Sequence, residues 1–121
     1  TKKEIDKNIL DKKFKVVDAR SKNRFLGLEK EPRTGLRSGS IKNSYCLPFA
    51  DLINKKDKTF KNKYFIKKKF KEVGIFDENN VVFSCGSGIT AAVLALAYSM
   101  INDKYSPTIY DGSWAEYGMT N

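Results

Sequence analysis

Apolar and polar positions along the chain alternate between two periods. Residues 14–18, Phe14-Lys15-Val16-Val17-Asp18, form a short β-branched run that ends in an acid, the pattern of a buried strand delivering a polar group at its edge. Tyr45-Cys46-Leu47-Pro48 reads as a second strand closed by proline, and 49–53 as one or two helical turns. Over 61–73 the period changes: Phe65, Ile66, Phe70 and Val73 share a helical face with lysines opposite, and Gly74 stands where a C-cap is expected. Val81-Val82-Phe83-Ser84 is the clearest strand, followed by a glycine-bearing loop and an Ala/Leu-rich helix over 91–100. A strand at 108–111 and a short helix around 113–117 close the chain. Residues 1–12, with Ile5, Ile9 and Leu10 at helical spacing, are a short helix or a linker. Residues 19–44 are a long polar stretch, and structureless loops of that length are more often functional than idle.

Strands alternating with helices predict an α/β domain with a mostly parallel central sheet flanked by helices. Right-handed crossovers then bring Asp18 and Cys85 to one edge of that sheet, the edge at which open α/β sheets bind ligands. With 121 residues, no repeat and no Pro- or Ser-rich linker, residues 1–121 read as a single domain.

The chain contains no histidine and two cysteines. Neither a Cys–His pair nor a Ser–His–Asp triad can be assembled from it, and two thiols without imidazole make no ordinary structural zinc site. No metal or cofactor is expected. A Lys-rich start without an apolar leader predicts reduced thiols and a cytoplasmic location. The longest apolar stretch, 91–100, falls short of the roughly 20 residues that a membrane span needs.

The sharpest chemical signal is Cys85-Gly86-Ser87-Gly88-Ile89-Thr90, set between a buried strand and a helix. Two glycines permit tight backbone geometry, so several N–H groups can converge on one point. The following helix adds its positive end. Such a cradle stabilises a thiolate, and cysteines in these positions have pKa values lowered to about 3.5–7.5. The bland alternative makes Cys85 a small buried hydrophobe and Gly88 a packing device. Ser87 could donate a hydrogen bond to the site or satisfy local backbone. Thr90 could touch a ligand or cap the helix. The loop lacks the Lys-Ser/Thr end of a nucleotide-binding phosphate loop and the closing Arg of a phosphatase loop, so soft chemistry with sulfur suits it better than phosphate chemistry.

Taken in order, VVDAR, RF-G, EPR, LPF, VVFSCGSGITAAV and YDGSWAEYG resemble the C-terminal catalytic domain of the tandem rhodanese sulfurtransferases, over residues 13–118. The loop CGSGIT is most similar to the 3-mercaptopyruvate branch. The resemblance implies that Cys85 takes sulfur from 3-mercaptopyruvate, or from thiosulfate, as a persulfide and passes it to a thiol or cyanide. The alternative is a single-domain persulfide carrier or a thiosulfate sulfurtransferase. It implies that Arg24 and Arg33 bind the substrate, a guanidinium fork matching the carboxylate of a 2-oxo acid. It also implies a thioredoxin-like acceptor and a preceding, silent rhodanese domain as partner. Asp18, Arg20 and Trp114 are expected to be structural, and catalysis is not expected in the Asp111-Gly112-Ser113-Trp114 segment. Where the family often shows Gly-His-Ile-Pro-Gly, this chain has Gly39-Ser40-Ile41-Lys42-Asn43.

The charge adds one competing reading. Lys and Arg total 23 against 14 Asp and Glu, a net charge of +9, and nine lysines fall between 55 and 71. A basic stripe is the footprint of phosphate binding. The aromatics inside this stripe fall near helical spacing, which favours core burial, and no nucleic-acid partner is expected.

Overall fold

The computed structural model describes residues 1–76, 80–86, 88–104, 106 and 108–120. Among the described residues nine short elements follow one another: α1 (Lys2–Asp11), β1 (Lys15–Asp18), α2 (Lys22–Phe25), β2 (Tyr45–Cys46), a 3-10 turn (Phe49–Leu52), α3 (Lys63–Glu72), β3 (Val81–Ser84), α4 (Ala91–Ile101) and α5 (Ser113–Tyr117). The strands form a parallel sheet in the order β2-β1-β3, with Asp18 opposite both Cys46 and Ser84. All three therefore deliver their C-termini to one edge.

β1 is central because it is apolar on both faces. Val17 packs with Phe83, Ile66 and Phe70 of α3, and Leu94 and Tyr98 of α4. Val16 points the other way, to Ile5 of α1, Ile41, Tyr110 and Trp114 of α5. Phe70, Phe83 and Tyr98 meet as a ring cluster, with centroids 4.9 to 6.1 Å apart. This is an α/β fold with a parallel sheet between two helical layers, as expected.

Residues 1–12 are not an extended linker. Thr1 and Glu4 form a capping box, Ile5 is buried, and Asp6 accepts a hydrogen bond from Tyr117 Oη at 2.6 Å. The polar stretch 19–44 contains a helix that periodicity could not show. α2 is a single turn, started by Ser21 Oγ accepting from Arg24 N. The strand expected at 108–111 shrinks to one bridge, Ile109 beside Phe83, because the chain turns away at Tyr110. In the Lys-rich segment, Ile66 and Phe70 are buried as expected. Phe65 is only half-buried, with Lys61 and Lys69 lying over its ring, and Tyr64 is exposed. Among the described residues no helix is long and apolar enough to cross a membrane.

Candidate functional site

At the sheet edge, β3 runs straight into Cys85, which is 1% exposed. The residue is held on three sides. Its N–H donates to Ser113 Oγ at 3.0 Å, its carbonyl accepts from Trp114 N at 2.9 Å, and its Sγ accepts from Gly88 N at 2.9 Å. The next carbonyl, of Gly86, accepts from Ala115 N at 2.8 Å. The start of α5 thus ties down the turn that carries the cysteine.

Of the two described loop glycines, Gly88 is the one that the backbone geometry requires. Gly88 adopts φ +95°, and a Cβ there would stand 3.1 Å from the carbonyl oxygen of Asp111. Gly86 presents its bare face to Arg24, whose Nη2 would lie 3.0 Å from an added Cβ. Ser87 lies outside the described residues. Thr90 occupies the N-cap position of α4, but its side chain makes no capping bond.

A cleft of about 280 Å³ opens above the cysteine, lined by Arg24, Glu31, Pro32, Arg33, Leu36, Cys85, Gly86, Ile89 and Thr90. The fold therefore gathers Cys85, Gly86, Ile89, Thr90, Arg24 and Arg33 from three separate segments into one concavity. Ile89 is 76% exposed, so the cleft has an apolar rim.

The two arginines are not equivalent. Arg24, from α2, is already engaged by Glu31, with Nε–Oε2 at 3.1 Å and Nη2–Oε1 at 2.7 Å. Arg33 is exposed and makes no ion pair among the described residues. Glu31 also lies 3.3 Å from Arg20 Nη1. Burial works against ionisation of Glu31, but the hydrogen bonds from Arg24 and the charges of Arg20 and Arg24 hold its carboxyl below the usual range.

Arg20 is the buried keystone of this edge. Its Nε and Nη2 grip Asp18 at 2.8 to 3.1 Å, Nη2 also reaches the Gly39 carbonyl at 2.7 Å, and the guanidinium stacks 4.7 Å from the Trp114 ring. Asp18 and Arg20 thereby order the returning loop instead of facing the cleft. Cys46, at the end of β2, is half-buried with Sγ 3.6 Å from the Arg20 carbonyl, and burial pushes its thiol up to about 11.

Two residues with a part in this arrangement were missed in the sequence. Ser113 lies in a segment where no site role was expected, yet it is fully buried and receives the Cys85 N–H. Only its adjacency to Gly112 and Trp114 marked it. Glu31 sits inside the EPR motif, but nothing local showed that it would partner Arg24.

A cysteine stands at a parallel strand's end, with the Gly88 N–H on its sulfur and two arginines in the same cleft of an α/β domain. The model of the family described as Rhodanese-like domain matches residues 1–120, and the chain belongs to this family. It is 40% identical over 114 residues to thiosulfate/3-mercaptopyruvate sulfurtransferase 2 of Arabidopsis thaliana, covering 94% of this chain and 33% of that protein. It is 36% identical over 119 residues to human 3-mercaptopyruvate sulfurtransferase, covering 98% of this chain and 39% of that protein. The Tum1 protein of Saccharomyces cerevisiae superposes with a TM-score of 0.82 at 28% identity, over 95% of this chain and 41% of Tum1. The chain spans about a third of the length of the curated relatives it matches.

These findings correct one sequence expectation. The match is to one rhodanese-like domain over residues 1–120, which supports the domain type and not its assignment to the C-terminal half of a tandem protein. Nor does it support a preceding rhodanese domain as a partner. The physical reason is that every motif behind that expectation lies within one folded domain, either lining the cleft or holding its edge. Such motifs report the domain type and carry no information about tandem arrangement.

Proposed function

We propose that this domain carries and transfers sulfur as a persulfide on Cys85. The observation that carries the reading is the Gly88 N–H aimed at Cys85 Sγ, at 2.9 Å, in a cleft that also holds Arg24 and Arg33. A backbone donor fixed before reaction favours negative charge on sulfur, first as thiolate and then as persulfide. No histidine is needed for this step.

The donor proposed is 3-mercaptopyruvate. The Cys85 thiolate attacks the donor sulfur, and the carbon–sulfur bond breaks. Its electron pair leaves as the enolate of pyruvate, which takes up the donor's thiol proton. With thiosulfate the same attack releases sulfite. A second thiol, or cyanide, then attacks the outer sulfur and returns the Cys85 thiolate. Arg33 anchors the donor carboxylate, assisted by Arg24, while Ile89 and Thr90 border the entrance.

The single-domain carrier reading is favoured by the same cleft. Ile89 leaves the rim apolar and open, and Arg24 is committed to Glu31, which suits a domain loaded and unloaded by thiol partners such as thioredoxin-like proteins.

Incubation with 3-mercaptopyruvate or thiosulfate, followed by intact-mass and peptide mapping, tests the proposal. The expected result is one added sulfur on Cys85, removed by a thiol with release of the persulfide, and absent in Cys85→Ser. Failure of both donors to add sulfur at Cys85 in the folded protein overturns it. Pyruvate release on loading, compared with sulfite release, reports which donor is preferred.

A further inference from the structure

We propose that Glu31 sets the charge of the anion that the cleft accepts: by neutralising Arg24 it leaves Arg33 as the uncompensated cation, selecting a singly charged donor over a dianion. This rests on the sulfur-transfer reading above and adds a specificity determinant to it.

The geometry makes Glu31 part of the cleft wall, not a distant partner. Its carboxylate is on the lining together with Arg24, Arg33 and Cys85. The Glu31 side chain is 1% exposed and that of Arg24 25%, so the pair is shielded and solvent ions do little to screen it. Both oxygens are used by Arg24, and Oε2 is also in contact with Arg20. Arg20 in turn is matched by Asp18. Going round the edge, Asp18 offsets Arg20 and Glu31 offsets Arg24, which leaves Arg33.

The loop contributes no further charge, since Gly86, Ser87, Gly88, Ile89 and Thr90 are all uncharged. An incoming donor also meets the negative charge of the ionised cysteine. A dianion is therefore repelled in both its charges by the thiolate and has one unmatched positive group, Arg33, to meet, whereas a 2-oxo acid places its single carboxylate at Arg33. Across a partly solvated cleft, one unit of charge at contact range changes an equilibrium on the order of tenfold.

Glu31→Gln removes the charge and keeps one carbonyl acceptor for Arg24, the second oxygen becoming an amide NH2. The test measures kcat/KM for thiosulfate and for 3-mercaptopyruvate in wild type and in the variant. The ratio of thiosulfate to 3-mercaptopyruvate should rise on the order of tenfold in Glu31→Gln, chiefly through the KM for thiosulfate. Glu31→Asp, which keeps the charge, should leave the ratio near the wild-type value even where both donors weaken. A ratio unchanged within about twofold in folded Glu31→Gln overturns the proposal.

A second measurement needs neither turnover nor a variant. Methanesulfonate and sulfate share a tetrahedral shape and differ by one charge. In wild type, methanesulfonate should protect Cys85 from iodoacetamide at concentrations no higher than sulfate requires. Sulfate protecting at clearly lower concentration overturns the proposal, even if Glu31→Gln does not fold. Wild type loading sulfur from neither donor counts against the sulfur-transfer reading instead, so the two failures are distinct.

Discussion

Ser113 offers the most direct test of how the cysteine turn is held. Its Oγ accepts the Cys85 N–H at 3.0 Å and donates to the Tyr110 carbonyl at 2.8 Å, and the residue is 0% exposed. In Ser113→Ala the Tyr110 carbonyl keeps a partner, because Ser113 N also donates to it at 3.1 Å. The Cys85 N–H loses its acceptor in a site without room for solvent. Leaving one buried donor unpaired costs about 1–3 kcal/mol, so about 2 kcal/mol is expected. For a domain of 121 residues each kcal/mol shifts Tm by about 4 °C, giving a fall of about 8 °C by calorimetry. Ser113 also holds φ +49°, so Ser113→Gly should recover about 1 kcal/mol relative to Ala. The pH midpoint of Cys85 alkylation should rise in both variants as the turn loosens. A Tm for Ser113→Ala within about 2 °C of wild type would refute the reasoning.

Gly88→Ala should cost about 1–3 kcal/mol and slow Cys85 alkylation, since φ +95° and the 3.1 Å approach to Asp111 both oppose a side chain; urea unfolding and labelling kinetics check both. Glu31 is ionised more readily in the fold than its ordinary value of 4.5, so its stabilisation is complete above that pH and is lost as pH falls through the lower folded value. Wild type should therefore be more stable than Glu31→Gln at neutral pH, with the gap in urea-derived stability closing as pH falls below 4.5; a constant gap would show that the carboxylate is not the group responsible. Because burial raises the Cys46 thiol to about 11, iodoacetamide at neutral pH should leave Cys46 unlabelled by peptide mass spectrometry.

The sequence by itself determined the α/β class, the strand ends and the glycine-bearing loop that follows Ser84. Val16-Val17, Val81-Val82-Phe83 and the apolar helix after Thr90 bury the same faces in almost any parallel arrangement, and period alone reveals that. Cys85 and the glycines were legible because a strand-to-helix turn has few alternatives for Gly88 at positive φ. The resemblance, not periodicity, singled out Arg24 and Arg33. α2 was invisible because one turn is shorter than the helical period needs to repeat, and the strand at 108–111 was overread because β-branched residues can pair at a single position only. Tertiary structure alone decided the electrostatics. It paired Arg24 with Glu31 and Arg20 with Asp18, left Arg33 unmatched among the described residues, and placed Ser113 under Cys85, 28 residues away in sequence. Hydrophobic periodicity reports which face is buried, but which charges cancel depends on side chains that only the folded sheet edge brings together.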